Sequence, residues 1–176
     1  MKFKNMFSPI QIGPMTVKNR FVVPPMGNNF ANSDGTWSDE SVAYYGERAK
    51  GQFGLITIEA TVVHKGAKGG PKKPCLYDDN SIESLKKITD ACHEEGAKVS
   101  IQLQNAGPEG NAKNAGAPIQ AATAIASADG RDIPEEVSTE KVYELVKGYG
   151  EAAERAMKGG ADALSLIHIS EPTRPY

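Results

Sequence analysis

The apolar positions of the chain follow two spacings that predict strands and helices in turn. GLITIEA (54–60) and AKVSIQL (97–103) are continuous apolar runs of strand length, a pattern typical of strands in a buried parallel sheet. SIESLKKITDACHEEG (81–96) instead places apolar residues three and four positions apart, with charged residues between them. That spacing is typical of an amphipathic helix. The pattern predicts buried strands that alternate with amphipathic helices.

The other segments extend the same alternation. They are a hairpin at 10–19, a strand at 20–26, a helix at 36–51, a helix at 138–160 and a strand that opens at 161–164. Strands separated by helices form parallel sheets with right-handed crossovers. The predicted fold class is therefore α/β, in the order hairpin, βα, βα, βα, β.

Two architectures satisfy this order, a doubly wound open sheet and a TIM barrel. A barrel needs eight βα units and roughly 250 residues, whereas this chain has 176 residues and supplies about half of the strands. Periodicity and length by themselves favour the open sheet slightly. However, no GxGxxG motif follows the first strand, which weakens a dinucleotide-binding doubly wound fold.

Composition and charge narrow the function. The net charge of −2 argues against a nucleic-acid or membrane-surface partner recognised through bulk charge. No apolar run approaches the roughly 20 residues of a membrane span. The amino-terminal residues lack the apolar region of a secretory signal, so a cytoplasmic location is expected. Cys75 and Cys92 form no close pair and the histidines are isolated, so no metal site is predicted.

Chemistry in such folds lies in the loops that follow the strands. After the first strand, Pro24 and Pro25 fix the backbone and Gly27 permits a close approach. Gln102 lies within the third strand, so we expect its carboxamide to be buried and hydrogen-bonded. Its donor and acceptor suit an amide-like edge of a heterocycle, or alternatively the neighbouring backbone.

The loop after the second strand, EATVVHKGAKGGPKKP (59–74), contains four lysines and three glycines. These could meet a phosphate, but the loop has no GK[ST] sequence and no helix directly after it. We therefore expect a solvated, mobile loop. The chain also lacks a nucleophile triad, a convincing carboxylate pair and a metal cluster. Its chemistry would have to come from a bound cofactor.

Three blocks resemble a known family. MFSPIQIGPMTVKNRFVVPPMGNN, GERAKGQFGLITIEATVV and GAKVSIQLQNAGPEG are similar, in this order, to the old yellow enzyme family of NADH:flavin oxidoreductases. The closer similarity is to its bacterial branch of 2,4-dienoyl-CoA reductase-like and bile-acid-inducible proteins. The resemblance covers residues 5–163. It implies the amino-terminal half of a TIM barrel, with a bottom-capping hairpin at 10–19 and truncation after about four strands.

The resemblance also implies a cofactor and its binding residues. Members bind FMN at the carboxyl-terminal mouth of the barrel. By similarity, the segment Pro24, Pro25, Met26 and Gly27 lies along the isoalloxazine ring. The backbone at Ala60 approaches the ring, and Gln102 hydrogen-bonds its pyrimidine edge.

Some residues depart from the family pattern. Many members continue the third strand as Gln-Leu-x-His-x-Gly-Arg, whereas this chain has Asn105 and Pro108 at the histidine and arginine positions. The substrate-activating pair and the proton-donating tyrosine of the family follow strand four. His168 lies out of register with that pair, so no catalytic residue is assigned within the chain.

The expected domain organisation has two parts. Residues 1–163 form the FMN-binding barrel fragment, and residues 164–176 are a non-native tail. LSLIHISEPTR resembles the translation of a sequencing adapter.

For the parent protein, the resemblance implies transfer of hydride from NADH or NADPH to FMN. The second substrate is then a small molecule, an enone, enoate or dienoyl thioester with an activated C=C bond. A homo-oligomer and an iron–sulfur cluster in the missing part are possible, and the fragment is expected to be inactive alone. The alternatives are another flavin barrel, of dihydroorotate-dehydrogenase or dihydrouridine-synthase type, and a non-catalytic α/β binding module.

Overall fold

A computed structural model of the chain describes residues 3–126 and 132–167. Within these ranges, the predicted strands and helices occur in the predicted order, with further short elements between β5 and α4. In chain order they are β1 (Ile10–Ile12), β2 (Met15–Val17), β3 (Val22–Val23), α1 (Asp39–Lys50), β4 (Leu55–Val62), α2 (Ile82–Glu94), β5 (Lys98–Gln104), α3 (Ala112–Ala115), β6 (Gln120–Ala121), β7 (Glu135–Glu136), α4 (Thr139–Lys158) and β8 (Ala163–Ile167). Short 3-10 helices lie at Lys65–Ala67, Asp79–Ser81 and Gly107–Glu109.

The central sheet has the strand order β3-β4-β5-β8, and every pair in it is parallel. Each strand of this sheet lies beside the strand of the sheet that precedes it in sequence, so the spatial order of the strands never reverses direction. A doubly wound sheet contains such a reversal, whereas a barrel adds strands in one direction. The slight preference for an open sheet, which came from chain length, is therefore wrong. Chain length limits how many strands can form. It carries no information about the order in which they pair, and that order distinguishes the two architectures.

The helices cover one face of this sheet. On that face, alternate residues of β4 and β5 pack against α1, α2 and α4. The buried members include Ile56, Ile58, Val99, Ile101, Leu103, Tyr45, Ala49, Leu85, Ile88, Cys92, Ala152 and Ala156. The opposite face carries polar residues, among them Thr57, Ser100 and Gln102. Helices on one side only are the arrangement of a barrel wall, with a helical outside and a strand-lined inside.

Local sequence explains where the long helices begin. The side chain of Ser38 accepts a hydrogen bond from the backbone N–H of Ser41 at the start of α1. Ser138 accepts from the N–H of Lys141 at the start of α4 in the same way. Each serine satisfies a backbone donor that has no partner within the helix.

The β1–β2 hairpin lies at the amino-terminal edge of the sheet. Its strands pair antiparallel. Lys18, directly after it, donates to the carbonyl of Glu95, and Asn19 donates to the carbonyl of Gln52. Glu95 and Gln52 each lie three positions before the start of β5 and β4, so the hairpin closes the bottom of the sheet, as predicted.

Three segments differ from the expectation or extend it. The strand predicted at 20–26 is paired only over β3, because Pro24 and Pro25 lack the N–H that a ladder needs. The long segment between β5 and α4, for which no element was predicted, contains α3 and the short β6–β7 pair. Of the tail predicted at 164–176, residues 164–167 belong to β8 and the rest, including His168, lies outside the described residues. Its non-native origin stays a prediction.

Among the described residues, no helix combines the length and apolar character that a membrane crossing requires.

Candidate active site

The residues predicted to bind a cofactor lie at the carboxyl ends of neighbouring strands. Pro24, Pro25, Met26 and Gly27 directly follow β3, Ala60 is near the end of β4, and Gln102 is near the end of β5. Met26 is 46% exposed. Because β3, β4 and β5 are adjacent and parallel, all of these residues lie at one edge of the sheet. The structure therefore brings together residues that the sequence separates by more than seventy positions.

A β-bulge distinguishes this edge. The ladder between β4 and β5 pairs Ile58 with Ile101 and then resumes at Thr61 with Leu103. Two residues of β4, Glu59 and Ala60, therefore lie opposite the single residue Gln102. Bulges take backbone groups out of the ladder and are frequent at barrel rims beside active sites. Ala60 is thus held next to Gln102, with its backbone out of regular pairing.

Gln102 is not buried as predicted. It is half-buried, and its carboxamide makes no hydrogen bond with any described residue. The prediction assumed a strand covered on both faces, but Gln102 points to the side that carries no helix. Its donor and acceptor are therefore available to a ligand at the strand ends.

An ion pair adjoins the segment after β3. Lys73 Nζ lies 3.4 Å from Glu59 Oε2, and the Glu59 side chain is only 1% exposed. A Cβ atom on Gly27 would lie 2.8 Å from Lys73 Nζ and 3.6 Å from Glu59 Oε2. Burial raises the pKa of the Glu59 carboxyl group above its ordinary value, although the Lys73 ammonium opposes this shift. Glycine at position 27 thus leaves room for the ammonium group.

Tyr45, from α1, braces the same edge. Its hydroxyl oxygen accepts hydrogen bonds from the backbone N–H of Glu59 at 3.0 Å and from Asn28 Nδ2 at 3.4 Å. Burial raises the pKa of Tyr45, so its hydroxyl stays neutral. The contact joins the bulge in β4 to the segment after β3.

The lysine-rich loop after β4 is more buried and more hydrogen-bonded than predicted. Lys68 is buried and donates to the carbonyl of Ser33 at 3.0 Å. Val62 donates its backbone N–H to the carbonyl of Pro74, and Leu76 donates to the carbonyl of Val62. The expectation of a solvated loop is wrong for these residues, because their long-range partners cannot be seen in composition, whereas the mobility of the loop stays a prediction. Sequence reasoning also missed Lys73, since nothing local marks its contact with Glu59.

Asn105 and Pro108, at the altered family positions, form a turn. Asn105 Oδ1 accepts from the N–H of Gly107 at 3.0 Å, and Pro108 lies within the following 3-10 helix. These residues therefore serve local structure in the described part of the chain.

A separate cavity of about 470 Å³ lies between this turn and α4. Gln120 and Tyr149 line it, and the side-chain oxygens of both are buried without a partner among the described residues. None of the predicted cofactor-binding residues lines this cavity, so it is distinct from the strand-end site.

A parallel sheet wound in one direction, with helices outside and polar groups at the carboxyl ends of its strands, defines part of a TIM-barrel enzyme. Residues 5–171 match the NADH:flavin oxidoreductase / NADH oxidase family, and the chain belongs to this family. The predicted resemblance and the predicted half-barrel are confirmed. The NADPH dehydrogenase of Bacillus subtilis (strain 168) is 35% identical over 164 residues, which make up 93% of this chain and 48% of that protein.

Solved structures agree with this assignment. The old yellow enzyme homologue from Zymomonas mobilis has a TM-score of 0.84 and 28% identity, over 92% of this chain and 48% of its own. A 2-naphthoyl-CoA reductase in complex with 2-naphthoyl-CoA has a TM-score of 0.87 and 28% identity, over 93% of this chain and 27% of its own. The chain spans about half the length of the curated relative it matches.

The residues at the strand ends fit a flavin. A flavin ring offers an amide-like pyrimidine edge, and the unpaired carboxamide of Gln102 can donate to it and accept from it. Gly27 carries no side chain toward the site, and the bulge frees the backbone around Ala60. No group of three or more histidine, cysteine, aspartate or glutamate residues suited to a metal ion occurs among the described residues.

Proposed function

We propose that the whole protein is an FMN-dependent oxidoreductase of the ene-reductase type. FMN would accept hydride from NADH or NADPH and pass it to the β-carbon of an activated alkene. The observation that carries the proposal is the unpaired carboxamide of Gln102, which lies opposite the bulge at Glu59 and Ala60. The carboxamide is not among the buried atoms of the described residues that lack a partner, so water can solvate it, and a ligand at the strand ends can replace that water with hydrogen bonds of its own.

Each residue of the site has a role in this proposal. Pro24, Pro25 and Met26 provide a stiff wall along one side of the ring, because two prolines restrict the backbone. Gln102 orients the ring through its pyrimidine edge, and the backbone at Ala60 contacts it. In this proposal, the residues that activate the substrate and donate a proton belong to the part of the whole protein that this 176-residue chain does not include.

An enone, an enoate or an unsaturated acyl thioester is the proposed substrate class. The similar 2-naphthoyl-CoA reductase was solved with an aryl-CoA thioester, which supports the thioester. The Bacillus relative is an NADPH dehydrogenase, which supports NADPH over NADH. Steady-state assays of the full-length protein with both nucleotides and all three alkene classes would decide between them.

Substitution of Gln102 by alanine tests the cofactor site. We expect Gln102→Ala to weaken FMN binding about tenfold, because it removes hydrogen bonds worth about 1–2 kcal/mol. Fluorescence titration of the apoprotein with FMN measures this. Gln11→Ala, on the hairpin at the opposite end of the sheet, is the matched control. Equal FMN affinity in the wild type and Gln102→Ala would contradict the proposed role.

We also propose that the 176-residue chain is inactive by itself. It spans about half the length of its curated relative, and no catalytic residue is assigned within it. Purified chain that binds stoichiometric FMN and oxidises NADH would refute this.

An independent genomic sequence across codon 163 would test whether residues 164–176 are native. Iron content and light scattering of the full-length protein would test for an iron–sulfur cluster and a homo-oligomer.

A further inference from the structure

The Glu59–Lys73 ion pair joins a buried carboxylate to a partly exposed ammonium group beside Gly27. Glu59 is buried at the bulge, and Lys73 retains 24% of its side-chain exposure. The ammonium group occupies the space that a side chain on residue 27 would otherwise take. The pair therefore adjoins the backbone that, under the proposed function, lies along the flavin.

The backbone around Lys73 is anchored, which limits where its ammonium can move. The carbonyl of Pro74 accepts from the N–H of Val62 at 2.8 Å. The Cys75 thiol lies 3.4 Å from the carbonyl oxygen of Lys73, and Cys75 forms a parallel bridge with Val62. The lysine thus extends from a segment that is fastened along β4.

We propose that Lys73 belongs to the flavin site. Its positively charged ammonium group stabilises the negative charge that the flavin ring gains on reduction. Glu59 positions the ammonium beside Gly27, and Gly27 makes room for it. A cation in a partly desolvated site acts more strongly on a nearby charge than one in water. This inference rests on the proposed function and adds to it a residue that sets the cofactor's reduction potential.

The test is the two-electron midpoint potential of bound FMN in the full-length protein. Loss of Lys73 alone could be masked, because the buried Glu59 can take up a proton when its partner is removed. The comparison is therefore between Glu59→Gln and Glu59→Gln/Lys73→Met. The glutamine oxygen still accepts a hydrogen bond from Lys73 but carries no charge.

We expect the added Lys73→Met change to weaken binding of reduced relative to oxidised FMN about tenfold. This is a lowering of the potential by about 30 mV for a two-electron couple. Lys73→Arg should keep the potential near that of the wild type. Lys72→Met is the matched control, because Lys72 is exposed and its charge is screened by solvent.

Two failures can be told apart. A full-length wild-type protein that binds no flavin would overturn both the proposed function and this inference. Normal flavin binding with the same potential in Glu59→Gln and Glu59→Gln/Lys73→Met would overturn the inference alone. In that case, a fall in the urea midpoint of the apoprotein would assign Lys73 a purely structural role. An equal shift from Lys72→Met would also overturn it, because the effect would not depend on the ion pair.

Discussion

The side chain of Asp162 links three segments of the chain at the bottom of this sheet. Its carboxylate accepts from His93 Nε2 and Lys98 Nζ, both at 2.7 Å, and from the backbone N–H of Val99 at 2.9 Å. These donors join the end of α2 and the start of β5 to the residue before β8. Burial raises the pKa of Asp162, but the hydrogen bonds outweigh it and hold the pKa below its ordinary 3.8.

We expect Asp162→Asn to lower the free energy of unfolding by about 1–2 kcal/mol near neutral pH, as charged hydrogen bonds are lost. The folded-state pKa is depressed, so this stabilisation is present above pH 3.8 and is lost as the pH falls through the folded-state value. Urea unfolding at several pH values measures it. Asp90→Asn is the control, because Asp90 pairs with Lys86 on the exposed surface and should cost less than about 0.5 kcal/mol. A penalty that does not shrink as the pH is lowered below 3.8 would contradict the assignment.

At the scale of elements, close contact between α4 and α2 depends on a glycine at the end of α4. A Cβ atom on Gly159 would lie 2.6 Å from Leu85 Cδ2 and 2.8 Å from Leu85 Cγ. Leu85 is fully buried, so it has little freedom to move away. The φ angle of Gly159 is −79°, which any residue can adopt. Space, and not backbone conformation, is therefore the reason for glycine here.

We expect Gly159→Ala to destabilise the fold by about 1–3 kcal/mol, because it overpacks a filled core. Gly150→Ala is the matched control in the same helix, since nothing lies within 4 Å of a Cβ atom there. That change should stabilise by about 0.5–1 kcal/mol, because alanine restricts the unfolded chain and favours the helix. Thermal unfolding of both variants measures the difference. Equal effects would contradict the packing argument.

At the scale of the whole molecule, a surface where α4 meets the outer side of β8 is apolar and open. Val146 is 61% exposed, and Leu164 and Leu166 are each 43% exposed. With Leu103, Tyr149, Gly150 and Ala153, these residues line a shallow depression. In a complete barrel, the helix after strand four packs at such a position. Large exposed apolar patches promote association.

We expect the 176-residue chain by itself to bind a hydrophobic dye and to associate, so that its average molecular mass in solution rises with protein concentration. Val146→Lys should reduce both effects, because it places a charge in the middle of the α4–β8 surface. Ile12→Lys, at a 46% exposed apolar position on the hairpin, is the control. Light scattering of a concentration series provides the measurement. A monomer at all concentrations, or an equal effect of both variants, would refute the prediction.

The site could be predicted from sequence only where its residues form local motifs. The family resemblance supplied Pro24 to Gly27, Ala60 and Gln102 as predicted cofactor-binding residues, and parallel pairing of β3, β4 and β5 explains why they share one edge of the sheet. Their role in binding stays a prediction. Lys73 could not be predicted, because its partner Glu59 is reached through a loop whose path depends on Val62 and Pro74. The exposure of Gln102 was also mispredicted, since an apolar strand does not show which of its faces a helix covers.

The sequence by itself determined the hairpin, the three long helices and the strands of the central sheet, because hydrophobic spacing, serine caps and glycine or proline stops act within a few residues. It also determined the family, through three blocks that keep their order. It did not show α3, β6 or β7. Periodicity and length left the choice between an open sheet and a barrel wall open, and only the family resemblance predicted the barrel. The tertiary structure supplies the physical grounds, because strand order and one-sided helix packing depend on contacts between distant segments. The same reason applies to the bulge opposite Gln102, the Glu59–Lys73 pair and the Asp162 network, whose partners meet only after the chain has folded.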